Sequence, residues 1–428
     1  MKRAVEPRFQ ALRPFESRNY RLYFFGQSLS LIGTWMQRTA VYWLVYDQTS
    51  SSFMLGVAVF CTQFPSFLLS ILGGVISDRY NRFKVLLSTQ VASLIQAAAL
   101  TALVISGNYE VWQILTLSVL LGIINAFDVP ARQATVYDMM NNKDDVPGAI
   151  ALNSSMVHMA RLIGPALSGI VLEKLGAGVC FAINAFSFIA VIVSLLMMKL
   201  PHHKIASHPT NALADLKNGF TYLRNTPEIN RVMMMLALIS LLSLPYITLL
   251  PVYAKDIFAG SASVFGYLNS FIGLGAISGA YFLASRSPGA DLKGILFINT
   301  IVFGVGLLSF SHATVFPIAL AFLSVTGFGM MSQTTISNTL IQLAVTPTMR
   351  GRVISYYAMA FFGMQPIGSL LIGALSHRIG PQNTMFVQGI VTIIIALIFI
   401  PFLKAKLLRR RDKMKIEQLK ERTIETTG

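Results

Sequence analysis

Two arginines and a histidine, Arg38, Arg161 and His158, stand inside long apolar stretches of this 428-residue chain. A charge at mid-bilayer costs about 2.5–3.5 kcal/mol on insertion scales, so such groups persist where they face a cavity or a partner. Each arginine belongs to a polar stripe: Gln27, Ser30, Thr34 and Arg38 on one predicted helix, Ser154, His158 and Arg161 on another. Spacings of three and four put each set on one helix face. Arg38 lies about 16 residues, near 24 Å, into its helix, and Arg161 about 13 residues, near 20 Å, into its own. No acid shares their depth, since Asp128 lies nearer one membrane face and Asp47 and Glu173 lie at the other. The chemistry these residues offer is anion binding in a wet cavity. The alternative is that each guanidinium bonds backbone carbonyls freed by irregular helix. In the second half of the chain Asn269, Gln333, Asn338, Gln342 and Gln365 supply neutral polar groups. With Trp35 and Tyr246 these would line an amphipathic cavity or simply pack helix against helix.

A second constellation is the charged interruption Gly74-Val75-Ile76-Ser77-Asp78-Arg79-Tyr80-Asn81-Arg82-Phe83-Lys84. Uncharged stretches flank it on both sides, so it reads as a tight basic turn between two spans, and Lys- and Arg-rich short loops stay in the cytoplasm. Asp128 lies about 17 residues, near 26 Å, along a later helix that runs inward, level with this turn. Asp128 and Arg132 form either part of a gate with the turn or a static i, i+4 pair at a helix end. Proton-carrying groups are scarce. Asp128 and His158 are the two candidates within the spans, Asp128 being preferred.

Enzyme chemistry finds no support. The chain has no Gly-x-x-x-x-Gly-Lys-Ser/Thr loop for a nucleotide, no paired carboxylates in the spans and no metal-spaced His and Cys, so no cofactor or metal is expected. His202, His203 and His208 read as a solvated linker rather than a metal site. Cys61 and Cys180 fall inside spans and imply no disulfide.

The elements that must hold these groups follow from composition. The chain is 54% hydrophobic and 12% charged, which places it among polytopic membrane proteins. Its net charge of +16 is concentrated at the N-terminus, in alternate loops and in the tail from Lys404 to Arg422. That distribution is positive-inside asymmetry, not a nucleic-acid patch. The hydropathy predicts an all-α protein with twelve spans, at approximately 22–46, 53–77, 84–106, 111–135, 148–172, 177–199, 230–252, 264–284, 293–311, 314–343, 353–376 and 383–403. The predicted organisation is a cytoplasmic segment 1–21, a six-helix bundle 22–199, a cytoplasmic linker 200–229, a second bundle 230–403 and a basic cytoplasmic tail 404–428. In the linker Leu213, Leu216, Phe220 and Leu223 form an amphipathic stripe suited to the membrane surface.

The basic turn resembles the loop signature of the major facilitator superfamily, with Gly74, Asp78, Arg79 and Arg82 in register and Asn81 where that family has Gly. Arg161-Leu162-Ile163-Gly164-Pro165 with Ser168 and Gly169 resembles the antiporter signature on helix 5, Ser168 replacing one Gly, and Ala151 and Ala160 standing at its upstream glycines. A weak counterpart lies roughly 200 residues on, at Arg350-Gly351-Arg352 and Gln365-Pro366-Ile367-Gly368. Arg18-Asn19-Tyr20-Arg21, Gly33-Thr34-Trp35-Met36-Gln37, Phe127-Asp128-Val129-Pro130-Ala131-Arg132-Gln133-Ala134 and Arg350-Gly351-Arg352-Val353 resemble the enterobactin-exporter-like efflux branch, the transmembrane secretion effectors.

The resemblance implies a gate of Gly74, Asp78, Arg79, Arg82, Asp128, Arg132, Gly164 and Pro165, with Asp78 near Gly351 to Ser355 and Arg82 near Asp128 when the cytoplasmic side closes. It implies a plasma-membrane exporter, monomeric, working by alternating access. The expected cargo is a small amphipathic, siderophore-like anion, bound by Arg38, Arg161, Gln27, Thr34, Trp35, His158, Asn269, Gln333 and Gln365 and exchanged for protons. Broad drug efflux, lysophospholipid transport and a non-transporting scaffold or sensor are the alternatives.

Overall fold

A computed structural model describes residues 12–140, 142–199, 212–287 and 290–401; the side chains of Asp78 and of residues 212–216 lie outside that description. The N-terminal segment to residue 11, most of the linker with its three histidines, and the tail also lie outside it.

The chain folds into two bundles of six long helices. The first comprises α1 (Arg18–Thr49), α2 (Ser52–Arg79), α3 (Arg82–Ile105), α4 (Val111–Met139), α5 (Val146–Leu175) and α6 (Ala177–Leu196). The second comprises α7 (Pro227–Ile257), α8 (Ala262–Ala284), α9 (Leu292–Ser311), α10 (Phe316–Ala344), α11 (Arg350–Ile379) and α12 (Pro381–Ile398). Eleven of the twelve are long and apolar enough to cross a membrane. The exception by composition is α1, whose 32 residues carry the first polar stripe. Its length still suffices, at about 1.5 Å per residue, to span about 30 Å of hydrocarbon. The chain is therefore a multi-pass membrane protein.

Local chemistry sets the helix ends. Ser17, Ser51 and Asn81 accept backbone N–H bonds from Tyr20, Met54 and Lys84, capping α1, α2 and α3. Gly176 (φ 82°) breaks the chain between α5 and α6, and Gly380 (φ 84°) does so between α11 and α12. Ser50 and Ala259, both at φ 46°, occupy the α1–α2 and α7–α8 turns. These left-handed positions recur at matching places in the two bundles, so the internal repeat is a repeat of backbone conformation more than of residue type.

Two helices are irregular. α7 passes through a 3-10 segment at Leu244–Leu249 and ends in a π segment, Tyr253–Ile257. α11 contains a π segment at Met359–Gly363. A π segment inserts an extra residue into the turn and a 3-10 segment tightens it, so each shifts the later side chains around the helix.

The linker helix Ala212–Asn225 turns part of its stripe onto the protein rather than onto lipid. Leu223 is buried, and a methyl group on Gly219 would lie 3.0 Å from the Tyr356 ring. The Tyr222 hydroxyl accepts the Thr346 N–H at 3.3 Å. The helix thus braces the start of α11. Phe220 remains exposed.

Candidate functional site

The two bundles meet at one end of the molecule and part at the other. The end carrying the Arg79–Arg82 turn is called the basic side below. On the opposite side α1 reaches across to α7. Lys255 donates to the Asp47 carboxylate at 2.6 Å, and the Tyr46 hydroxyl donates to Asp256. Trp43 stacks on Phe265, ring centroids 6.2 Å apart. The Glu173 carboxylate accepts from Ser261 and Ser263 at the start of α8. Glycines let the backbones close in. A methyl group on Gly266 would stand 2.8 Å from the Pro165 carbonyl oxygen, and one on Gly373 2.7 Å from that of Ser52. Small residues at such crossings permit close helix approach.

Toward the basic side a cavity of about 1510 Å³ opens between the bundles. Its depth reaches Trp35, Arg38, Tyr42 and Phe265, and its mouth is bordered by Gly74, Arg132, Gly351 and Ser355. Methyl groups on Gly74 and Gly351 would meet nothing within 4 Å. The structure is closed on the side of Asp47 and Lys255 and open on the basic side.

Of the residues expected to bind cargo, Gln27, Thr34, Trp35, Arg38, His158, Arg161, Asn269 and Gln365 all line this cavity. Gln333 does not: it is wholly buried and donates to Ser337 at 3.4 Å. On α10 the lining face carries Met330, Met331, Thr334, Thr335 and Asn338, and Gln333 points away from it. Tyr246 is likewise buried, behind Arg161 and in electrostatic contact with it.

Trp35 is the hub of the deep site. The Arg38 guanidinium carbon lies 4.8 Å from its ring centroid and that of Arg161 5.6 Å. Cation–π contacts contribute about 0.5–1 kcal/mol at exposed sites and about 2 or more when desolvated. Gly164 makes room for the indole: a methyl group there would come 2.5 Å from the Trp35 Cβ. Among the described residues neither guanidinium has a hydrogen-bond or ion-pair partner. Gln27 adds a buried amide oxygen, also unpartnered. The described lining carries Arg38, Arg132, Arg161 and Arg352 against one carboxylate, Asp128. An anion would complete the donors of Arg38 and Arg161, and charge-assisted hydrogen bonds are the stronger kind.

The gate residues divide. Gly74, Asp128, Arg132 and Pro165 line the cavity. Gly164 supports Trp35 from behind. The Asp128 carboxylate accepts from Thr89 at 2.9 Å and Gln90 at 2.6 Å, and Arg132 stands 3.6 Å away. Arg82 faces Asp138 at 3.9 Å, not Asp128. Arg79 is exposed at the turn, and the Asp78 side chain lies outside the described residues. The expected Asp78 and Arg82 contacts belong to a state closed on the basic side, whereas this structure is open there.

The sequence reading passed over three groups. The α2 wall (Gln63, Ser66 and Ser70) has helical spacing and was legible as a stripe. Of the aromatic wall of Phe67, Tyr357, Phe361 and Phe362, the last two lie in the π segment of α11, which periodicity does not reveal. Pairing of Tyr46 and Asp47 with Lys255 and Asp256 joins residues over 200 positions apart.

Two packed six-helix bundles around a central cavity define a transporter of the major facilitator fold. The chain belongs to the transmembrane secretion effector family, whose model matches residues 9–427. It is 29% identical to a staphyloferrin A transporter of Staphylococcus aureus (strain NCTC 8325 / PS 47), over 92% of this chain and 98% of that protein. It is 24% identical to an enterobactin exporter of Salmonella typhimurium, over 89% and 91% of the two chains. A macrolide efflux protein of Streptococcus pyogenes is 23% identical over 89% and 96%. Among solved structures, a bacterial homolog of the human lysosomal transporter Spinster superposes with TM-score 0.71 at 13% identity, covering 90% of this chain and 97% of its own. The family is one of transporters, not enzymes.

Proposed function

We propose that this protein exports a small amphipathic anion across the plasma membrane by alternating access, in exchange for protons. The observation that carries this reading is the pair Arg38 and Arg161 against Trp35, deep in the cavity, with no acid partner among the described residues. The basic side is the cytoplasm, and both termini and the 200–229 linker lie there, since Lys and Arg in short loops mark that face. The structure then corresponds to the state that loads cargo from inside. A siderophore-like cargo agrees with two of the relatives, one named as a staphyloferrin A transporter and the other as an enterobactin exporter. The working unit is a monomer in a lipid bilayer, one cavity per chain.

A second reading is broad drug efflux, favoured by the aromatic and methionine surface of Phe67, Met330, Met359, Phe361 and Phe362. It would suit a less cationic site than this one.

For coupling, Asp128 is the preferred proton carrier and His158 the alternative; both line the cavity. Protonation of Asp128 would weaken a lock on the cytoplasmic side and favour inward opening, which suits antiport. A proton on His158 would strengthen anion binding at Arg161 and suits symport. One pH unit supplies about 1.4 kcal/mol and the membrane potential about 2.3 kcal/mol per charge per 100 mV. The test is substrate flux in proteoliposomes under imposed pH gradients, in wild type, Asp128→Asn and His158→Gln. Loss of pH-driven flux in Asp128→Asn alone is the expected result; retention in both variants refutes the coupling scheme. Absence of any flux, with protein folded and inserted, would point to a scaffold or sensor.

A further inference from the structure

One row of side chains runs along the middle of α5: Ser155, His158, Met159, Leu162 and Gly169, successively three, one, three and seven residues apart, on one helix face. The matching row on α8 is Gly266, Gly273, Ile277 and Ala280. At the closed end the two rows are in contact. A methyl group on Gly266 would stand 3.1 Å from the Gly169 Cα, and one on Gly273 2.7 Å from a Leu162 methyl carbon. Beyond Leu162 and Gly273 the same two rows separate. Ser155, His158 and Met159 on α5, and Ile277 and Ala280 on α8, all line the cavity. Met159 is 49% and Ile277 41% exposed. Side chains that face each other across a seam yet remain exposed and border the cavity mean that the seam itself is open. From Gly273 to the end of α8 the seam runs 11 residues, or about 17 Å, close to half of the roughly 30 Å hydrocarbon core. In the seam between α2 and α11 the Phe67 ring sits against Gly363.

We infer that the α5–α8 seam is a lateral portal, and that the cargo is an amphiphile whose apolar tail stays in the cytoplasmic leaflet while its anionic head passes His158 to reach Arg161. This inference rests on the anion reading of the site and adds the route and the tail. The geometry matches such a molecule from both ends. Inside the seam lie His158 and Arg161, the latter without an ion-pair partner among the described residues; along its edges lie the apolar Met159 and Ile277. A tail held there keeps its contact with lipid, so loading costs little apolar desolvation, whereas the head gains a cationic site in place of water.

The test uses the full chain in nanodiscs of phosphatidylethanolamine and phosphatidylglycerol and two fluorescent aryl sulfonates, one with a dodecyl chain and one without. Binding is read by fluorescence titration, which does not require turnover. Ile277→Trp narrows the seam and should weaken the dodecyl probe roughly tenfold, the loss expected when a few methylene groups are shut out of apolar contact. The chainless probe should be unaffected. Met159→Phe, on the facing edge, is the milder second variant should Ile277→Trp fail to fold. Equal loss for both probes, or no loss for either, overturns the portal. Arg161→Gln separates the two readings: it should weaken both probes alike, and if it weakens neither, the anion reading falls irrespective of the seam result.

Discussion

At the scale of single residues the deep site turns on Trp35 and the two guanidiniums beside it. Arg161→Gln keeps a hydrogen-bonding group but removes the charge. An anionic ligand should then bind roughly tenfold to hundredfold more weakly, the span for losing one charge-assisted hydrogen bond. Thermal-shift titration with an aryl sulfonate and a matched aryl ammonium checks this: the sulfonate response should shrink and the ammonium response should not. Gly164→Val tests the hub from behind. The added side chain meets the Trp35 Cβ and forces the indole out of place, at about 1–3 kcal/mol of overpacking. The variant should melt earlier and lose the same anion response with both arginines intact. Arg38, Arg161 and their stripes were legible in sequence because a charge in an apolar run is costly and helical spacing fixes its face. That Gln333 faces away from the cavity was not. Its phase on α10 depends on how the helix is rotated in the bundle, and a polar residue on a buried face looks the same in sequence as one on a cavity.

At the scale of elements, the twelve spans were readable from hydropathy and the turns from charge and glycine. The irregular parts of α7 and α11 were not, since a π segment has no composition of its own. Those segments position Lys255 and Asp256 at one end of α7 and the aromatic wall in α11. The closures between bundles are element-level contacts, and each has a testable consequence. Gly266→Leu places a branched side chain where a methyl group already stands 2.8 Å from the Pro165 carbonyl oxygen. α5 and α8 would be wedged apart at the end that this structure keeps shut. The protein should insert normally yet lose transport, as measured by membrane level against proteoliposome flux.

At the scale of the whole molecule the prediction is a two-state balance between closure on one face and closure on the other. Gly74 and Gly351 border the open mouth and have free space around them. In a background with Cys61 and Cys180 replaced by Ala, Gly74→Cys with Gly351→Cys should crosslink slowly in the form seen here. Adding Asp256→Asn weakens the opposite closure and should raise the crosslinking rate by up to about fivefold, the equivalent of about 1 kcal/mol for one part-buried polar pair. An unchanged rate would mean that Tyr46 and Asp256 do not hold the resting form. The two-bundle architecture itself was evident in the sequence from the paired motifs and the even number of spans. Which face stood open was not, because one sequence encodes both states and their difference is carried by contacts between distant segments. The Asp47–Lys255 pair has one more consequence. Its side chains are 50% and 33% exposed, at the face turned away from the basic side. Attraction between exposed charges is screened as the Debye length falls from about 8 Å at 0.15 M to about 3 Å at 1 M. The medium on that face therefore reaches into the conformational balance through its ionic strength alone, and raising the salt there should leave the transporter resting more often open on the face of Asp47 and Lys255.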